Sequence, residues 1–244
     1  MDWSDVSECD RRRRWEKTAV LLHGMMGSAE SWWRVIPLLV GNGYRVIAVD
    51  LPGHGLSPRD SHLTVASAAA SVVETLDHLA PHLPIHAIGH SYGATVLAAA
   101  GLDADVTVYL DSPLSFPGGG DPMRLAARYA SDRQQRQDPV WLRSSRPFYT
   151  TRDAEVEARA ATRFDPVTDA SISCGGDVEL IPKRGSILVH ADPSNWVTDE
   201  HRRKFAEQGV SVRSIPGAAH SIWYSHFAEF IASIPEMFGV LTQP

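Results

Sequence analysis

The pentapeptide Gly89-His90-Ser91-Tyr92-Gly93 constrains this chain most, because it joins two segments of different periodicity. Ile85 to Ile88 is a short β-favouring run, and Ala94 to Ala100 is an Ala-rich helical run. A serine at such a junction sits on a sharp strand-to-helix turn with its hydroxyl pointing out of the sheet. The flanking glycines fit the bend, since a side chain at either position would collide with the neighbouring strand or helix. The helix that starts behind Ser91 offers backbone amides to a developing negative charge.

Around this junction short apolar runs alternate with helical patterns, which predicts an α/β fold with a mostly parallel sheet. Strands are expected at Thr18–His23, Tyr44–Asp50, Ile85–Gly89, Val106–Leu110, Ser186–His190 and Val210–Ile215. Helices are expected over about Ala29–Val40, Val65–Leu79, the run ending near Ala100, and Phe227–Ile234. The segment 112–183 breaks the rhythm and is too long for a loop inside a compact domain. Its helical patterns around Met123–Gln137 and Ala154–Phe164 predict a helical cap over the C-terminal edge of the sheet, where open α/β sheets bind ligands. The expected division is a core of residues 1–111 and 184–244 with the cap at 112–183.

Two further motifs flank the sheet. His23-Gly24-Met25-Met26-Gly27 follows the first strand; it reads either as a plain glycine turn or as a loop whose Met25 amide faces the reacting carbonyl. With the Tyr92 amide, Met25 would then form an oxyanion hole, worth about 3–4 kcal/mol per donor. His220, in Pro216-Gly217-Ala218-Ala219-His220, follows the last strand. It reads as surface decoration or as the base in the chain order serine, acid, histidine. His23 and His54 are expected to hold their loops.

Together, His23-Gly24, Asp50-Leu51-Pro52-Gly53-His54-Gly55-Leu56-Ser57, Gly89–Gly93 and Pro216–His220 resemble the α/β-hydrolase family, over about Thr18 to Ile234 without the cap. The resemblance implies a central sheet of about six strands with helices on both faces. It also implies a triad, but the acid is displaced. The family pattern places the carboxylate three residues after a glycine that ends the preceding strand; here Ala191 replaces that glycine and Ser194 occupies the acid position. Asp192, two residues early, and Asp111, at the end of the fourth strand, are the two candidates, with a lean to Asp111; either could equally be a turn-forming aspartate. Asp199 and Glu200 are expected to start the next helix.

Dehalogenases and epoxide hydrolases of this fold carry aspartate at the elbow. Ser91 therefore directs the expectation to acyl chemistry on a carboxylic ester, lactone or thioester through an acyl-enzyme. A cyclase, acyltransferase or lyase using Ser91 and His220 is the alternative, and a binding module that has lost catalysis is the third reading. Trp32, Trp33, Met25 and Met26 are either lining of an apolar acyl pocket or plain core. Arg124, Arg128, Arg133 and Arg136 either meet an anionic substrate group or form a solvated helix face. The scheme needs no metal or organic cofactor. A formal charge of −6 speaks against a nucleic-acid partner, and the run Arg11 to Arg14 reads as a solvated arm. Cys9 and Cys174 have no metal-binding spacing, and no stretch of about 18 apolar residues is present. A small-molecule acyl substrate, no membrane, a cytoplasmic location and a monomer or homodimer are expected.

Overall fold

The computed structural model describes residues 15–79 and 83–239. Cys9 and the Arg11–Arg14 run lie outside the described residues. Six parallel strands form the central sheet: β1 (Lys17–Leu22), β2 (Tyr44–Val49), β3 (Ile85–His90), β4 (Val106–Leu110), β7 (Ile187–Asp192) and β8 (Ser211–Pro216). Their order is β2-β1-β3-β4-β7-β8. The chain steps outward from β1 to β2 and then returns to the other side of β1, so the strand order reverses between β1 and β3. Ligands bind at such a switch point, outside the carboxyl ends of the strands.

Both faces of the sheet are covered at its middle, which explains why β1, β4 and β7 are buried at successive positions rather than alternately. Ala19 and Leu21 of β1, Val108 and Leu110 of β4, and Val189 and Ala191 of β7 pack into one core with Trp32, Leu39 and Phe230. Their neighbours Val20, Leu22, Tyr109 and Leu188 face the other core, against α2 (Val65–Leu79) and α3 (Tyr92–Ala100). The expected helix over 29–40 is divided: a 3-10 turn spans Ala29–Trp32 and α1 runs Ile36–Gly41. Pro37 accounts for the restart, since proline is accepted in the first turn of a helix and not in its interior. The last expected helix is likewise three short pieces, α9 (Ile222–Ser225), α10 (Phe227–Ala232) and α11 (Pro235–Phe238).

Between β4 and β7 lie α4 (Pro122–Arg136), α5 (Pro139–Ser145), α6 (Thr151–Arg163) and α7 (Pro166–Ile172). An antiparallel pair, β5 (Ser115–Phe116) with β6 (Val178–Glu179), joins the two ends of this insertion. The insertion rests on the loops that follow β1 and β2: Asp165 donates its amide to Gly53 O at 2.8 Å, and Ser31 Oγ donates to Glu157 Oε1 at 2.7 Å. After β7 the chain forms α8 (Asp199–Glu207), capped by Thr198. No helix among the described residues is long and apolar enough to cross a membrane.

The crossing of β3, β1 and α3 is tight enough to dictate residue type. A Cβ on Gly93 would stand 2.4 Å from His23 O and 2.5 Å from Leu22 O; one on Gly89 would stand 2.5 Å from Gly93 O. All of these are backbone atoms and cannot rotate away. Gly93→Ala is expected to lower stability by about 1–3 kcal/mol, the usual cost of overpacking. Gly41→Ala, where nothing lies within 4 Å, is expected to stay within about 0.5 kcal/mol of the parent. Urea midpoints of the two variants measure the contrast, and equal midpoints would contradict this account.

Candidate active site

The carboxyl ends of β1, β3, β4 and β8 each deliver one element of a single constellation. Ser91 is the first residue past β3 and has φ 51° and ψ −118°, a backbone state that residues with a side chain rarely adopt. It is held there by its amide, which donates to Leu110 O at 2.9 Å and continues the ladder beyond the strand. The Tyr92 amide opens α3, so it has no intrahelical acceptor. The Ser91 hydroxyl makes no hydrogen bond among the described residues.

Asp111 is the first residue past β4, also at positive φ (44°), with its amide on Val189 O at 2.8 Å. Its carboxylate is 1% exposed and accepts three hydrogen bonds. Oδ1 receives the Ala191 amide at 3.2 Å and the Ser194 hydroxyl at 2.7 Å, and Oδ2 receives His220 Nδ1 at 2.7 Å. Burying a carboxylate is tolerable when its lone pairs are met in this way. Asp192 lies elsewhere: its half-exposed carboxylate is 3.9 Å from Arg202. The imidazole of His220 is therefore joined to Asp111 and not to Asp192. Ser194, at the position where the family pattern has its acid, supplies a hydrogen bond to the acid on the neighbouring strand.

His220 is flanked by two rings. His90 lies 4.5 Å away, centroid to centroid, and Trp196 lies 5.3 Å away. His90 Nε2 donates to the His220 carbonyl at 3.0 Å. Burial, reinforced by the adjacent His220, drives the His90 pKa well below its ordinary value, so His90 is a neutral prop. Trp196 is half-exposed. The following turn is fixed by Trp223 Nε1, which donates to Ser31 O at 3.0 Å, and by Tyr224, whose hydroxyl is 2.9 Å from Glu157 Oε1. Arg136 pairs with the same Glu157 through Oε2 at 3.1 Å.

The loop after β1 lies directly against the elbow. A Cβ on Gly24 would be 2.6 Å from His90 Nδ1 and 3.2 Å from Ser91 Cβ. Two neutral histidines shape this loop. His23 Nδ1 donates to Gly24 O at 2.8 Å while its Nε2 accepts the Leu51 amide at 3.1 Å. His54 Nδ1 donates to Pro52 O at 3.0 Å while its Nε2 accepts the Met26 amide at 3.2 Å. Burial lowers His23 to a pKa of about 4 and His54 to about 3. Met26 has φ 62° and is buried against Tyr129, Phe164 and Ala170; Met25 is exposed. Trp32 is fully buried and stacks on Trp223 at 4.5 Å, so its ring fills the core rather than facing a ligand.

Sequence reasoning missed the bond from Ser194 to Asp111, the places of Trp196 and Glu157, and the bracing role of His90. Among the insertion's arginines, Arg124 and Arg128 are exposed and Arg133 donates to Thr162 O at 3.2 Å. Among the described residues, no group of three or more His, Cys, Asp or Glu side chains is placed to hold a metal ion.

A family model described as "Alpha/beta hydrolase family" matches residues 19–233. Methylesterase 3 of Arabidopsis thaliana is 35% identical over 221 residues, covering 84% of this chain and 76% of that protein. The dihydrolipoyllysine-residue acetyltransferase component of an acetoin cleaving system from Cupriavidus necator is 36% identical over 168 residues, covering 65% of this chain. This chain spans 43% of the length of that relative. A crystal structure of an esterase from Rhodococcus sp. ECU1013 superposes with a TM-score of 0.71 at 19% identity, over 92% of this chain and 91% of that one, a likeness of fold.

The neutral histidines set an acid limit. His23 is uncharged in the fold and free to protonate near pH 6.5 once unfolded, so the unfolded chain binds more protons below that pH. Stability from this group is complete above pH 6.5 and declines as pH falls toward the folded value of about 4, by up to about 1.4 kcal/mol per pH unit. His23→Gln is expected to flatten the dependence of unfolding free energy on pH between 6 and 4.5 by roughly one proton. An unchanged slope in urea titrations would mean that His23 is charged in the fold.

Proposed function

Because this chain belongs to the α/β hydrolase family, we propose that it hydrolyses a carboxylic ester through Ser91, His220 and Asp111. The observation that carries the proposal is the 2.7 Å hydrogen bond from His220 Nδ1 to the buried Asp111 carboxylate, on the sheet edge that also presents Ser91. With Nδ1 donating, the lone pair of the neutral imidazole is on Nε2, the nitrogen free to take the Ser91 proton. Ser91 Oγ then attacks the ester carbonyl, and the Met25 and Tyr92 amides receive the oxyanion. His220 returns the proton to the departing alcohol. Water, activated by the same imidazole, releases the acid and restores the hydroxyl. Asp111 keeps the tautomer and balances the imidazolium. A hydrogen bond between Ser91 and His220 forms when substrate is bound, since such contacts often tighten only in the complex.

A carboxylic ester fits the serine at the elbow and the methylesterases among the relatives. The acetyltransferase component among those relatives favours a second reading, in which the same acyl-Ser91 passes its acyl group to a thiol or alcohol instead of water.

Turnover of p-nitrophenyl butyrate and fluorophosphonate labelling are both expected to disappear in Ser91→Ala. Asp111→Asn is expected to lose about 10⁴-fold in kcat, as when a triad acid ceases to set the tautomer, while Asp192→Asn keeps a rate close to the parent. Equal losses in the two aspartate variants would remove Asp111 from the scheme. A stoichiometric burst that stalls until an acceptor is added would replace hydrolysis by transfer.

A further inference from the structure

One acid of the insertion is bonded to both loops that serve the elbow. Glu157, on α6, is 4% exposed. Its Oε1 accepts the Ser31 hydroxyl at 2.7 Å and stands 2.9 Å from the Tyr224 hydroxyl, while Oε2 accepts Arg136 at 3.1 Å. Ser31 belongs to the segment after β1, and Tyr224 to the segment after β8.

On the β1 side, the Ser31 hydroxyl accepts the Ser28 amide at 3.1 Å. Ser28 directly follows the turn 24–27, which carries Met25 and is closed by the Gly27 amide on Gly24 O at 3.0 Å. A Cβ on Gly27 would stand 3.1 Å from Ser31 Oγ, so that turn rests on the same hydroxyl. On the β8 side, Trp223 and Tyr224 lie in α9, the short helix just past His220. The Trp223 ring is 4.8 Å from His90, the neutral prop of His220. The two sides also meet directly. Ser31 O accepts Trp223 Nε1 at 3.0 Å and lies 2.9 Å from the Tyr224 hydroxyl. Tyr224 keeps its proton, because burial, reinforced by Glu157, drives its pKa well above the ordinary value. That one proton faces both Ser31 O and Glu157 Oε1.

Resting on the esterase reading above, we infer that Glu157 is a positioning residue for the reaction: through Ser31 and Tyr224 it holds the Met25 loop and the His220 loop in place around Ser91. The insertion contributes no member of the triad, and this acceptor is its part in the chemistry. Both partners at Oε1 are hydroxyls, so an acceptor suffices there; the pairing with Arg136 uses the other oxygen. Glu157 acts on groups that work at the transition state, so its loss lowers kcat more than it raises KM. Asp153, also on α6, offers the contrast. It accepts Arg34 at 2.5 Å and Trp33 Nε1 at 3.1 Å, so its bonds to the core end on the segment after β1.

Steady-state kinetics on p-nitrophenyl butyrate, with urea midpoints to fix the folded fraction, test this. Glu157→Leu is expected to lower kcat at least about tenfold while KM moves less than about threefold, as misplaced catalytic groups would cause. Glu157→Gln keeps Oε1 as an acceptor and is expected to recover most of that kcat despite a lower urea midpoint. Ser31→Ala and Tyr224→Phe each remove one hydroxyl and are expected to lower kcat in the same sense, each by less in the Glu157→Leu background than in the parent. They report even if Glu157→Leu fails to fold. Asp153→Asn is expected to lower the urea midpoint with kcat close to the parent. Parent kcat in every folded variant, a loss confined to KM, no recovery in Glu157→Gln, or equal kcat losses in Asp153→Asn and Glu157→Leu would overturn the inference and leave the esterase reading standing. A parent without Ser91-dependent turnover would overturn both.

Discussion

The carboxylate of Asp111 is where three neighbouring strands meet. Its own residue ends β4, the Ala191 amide and Ser194 hydroxyl come from β7 and the loop beyond it, and the His220 imidazole comes from the loop after β8. Remove the charge and the Ser194 loop loses its acceptor, while His220 loses the contact that sets its orientation. Hydrogen bonds to an ionised acceptor are roughly twice as strong as neutral ones. A carboxylate this deeply buried is stable only because those bonds replace its water. The arrangement of the site thus follows from a single charge that the sheet can hold and the solvent cannot reach.

Backbone strain is concentrated at the same edge. Met26, Ser91 and Asp111 all have positive φ, a region that side chains disfavour. Each is fastened by a bond that relaxation would break: the Met26 amide to His54, the Ser91 amide to Leu110, the Asp111 amide to Val189. For Ser91 and Asp111 the sheet ladder, extended one residue beyond its strands, supplies the restraint; for Met26 the His54 imidazole does.

What the sequence discloses about this molecule depends on range. The six strands and the elbow were legible because their signals are local: apolar runs bounded by turn residues, and a serine between two glycines whose Cβ positions are filled by backbone. The partner of His220 was not, because Asp111 and Asp192 both end strands and only the docking of β4 against β7 separates them. Ser194 carried a clue, since a hydroxyl where a carboxylate is expected suggests an acid supplied from next door. Helices α5 and α7 were overlooked although each opens with an Asp-Pro pair, Asp138-Pro139 and Asp165-Pro166, the capping residue and first-turn proline that start a helix. Glu157 gave no signal at all. A single buried acid in a polar helix looks like any solvent-facing one until its neighbours are placed.

Because the partner of His220 is rooted in a central strand, the segment 193–198 after β7 is relieved of holding a charge at a fixed distance. It needs only a hydroxyl within reach of that charge. Changes in its length or in the bulk of Trp196 can then reshape the surroundings of the imidazole without breaking its hydrogen bond to Asp111. In such an architecture, the cover over the imidazole and the bond that orients it can vary independently.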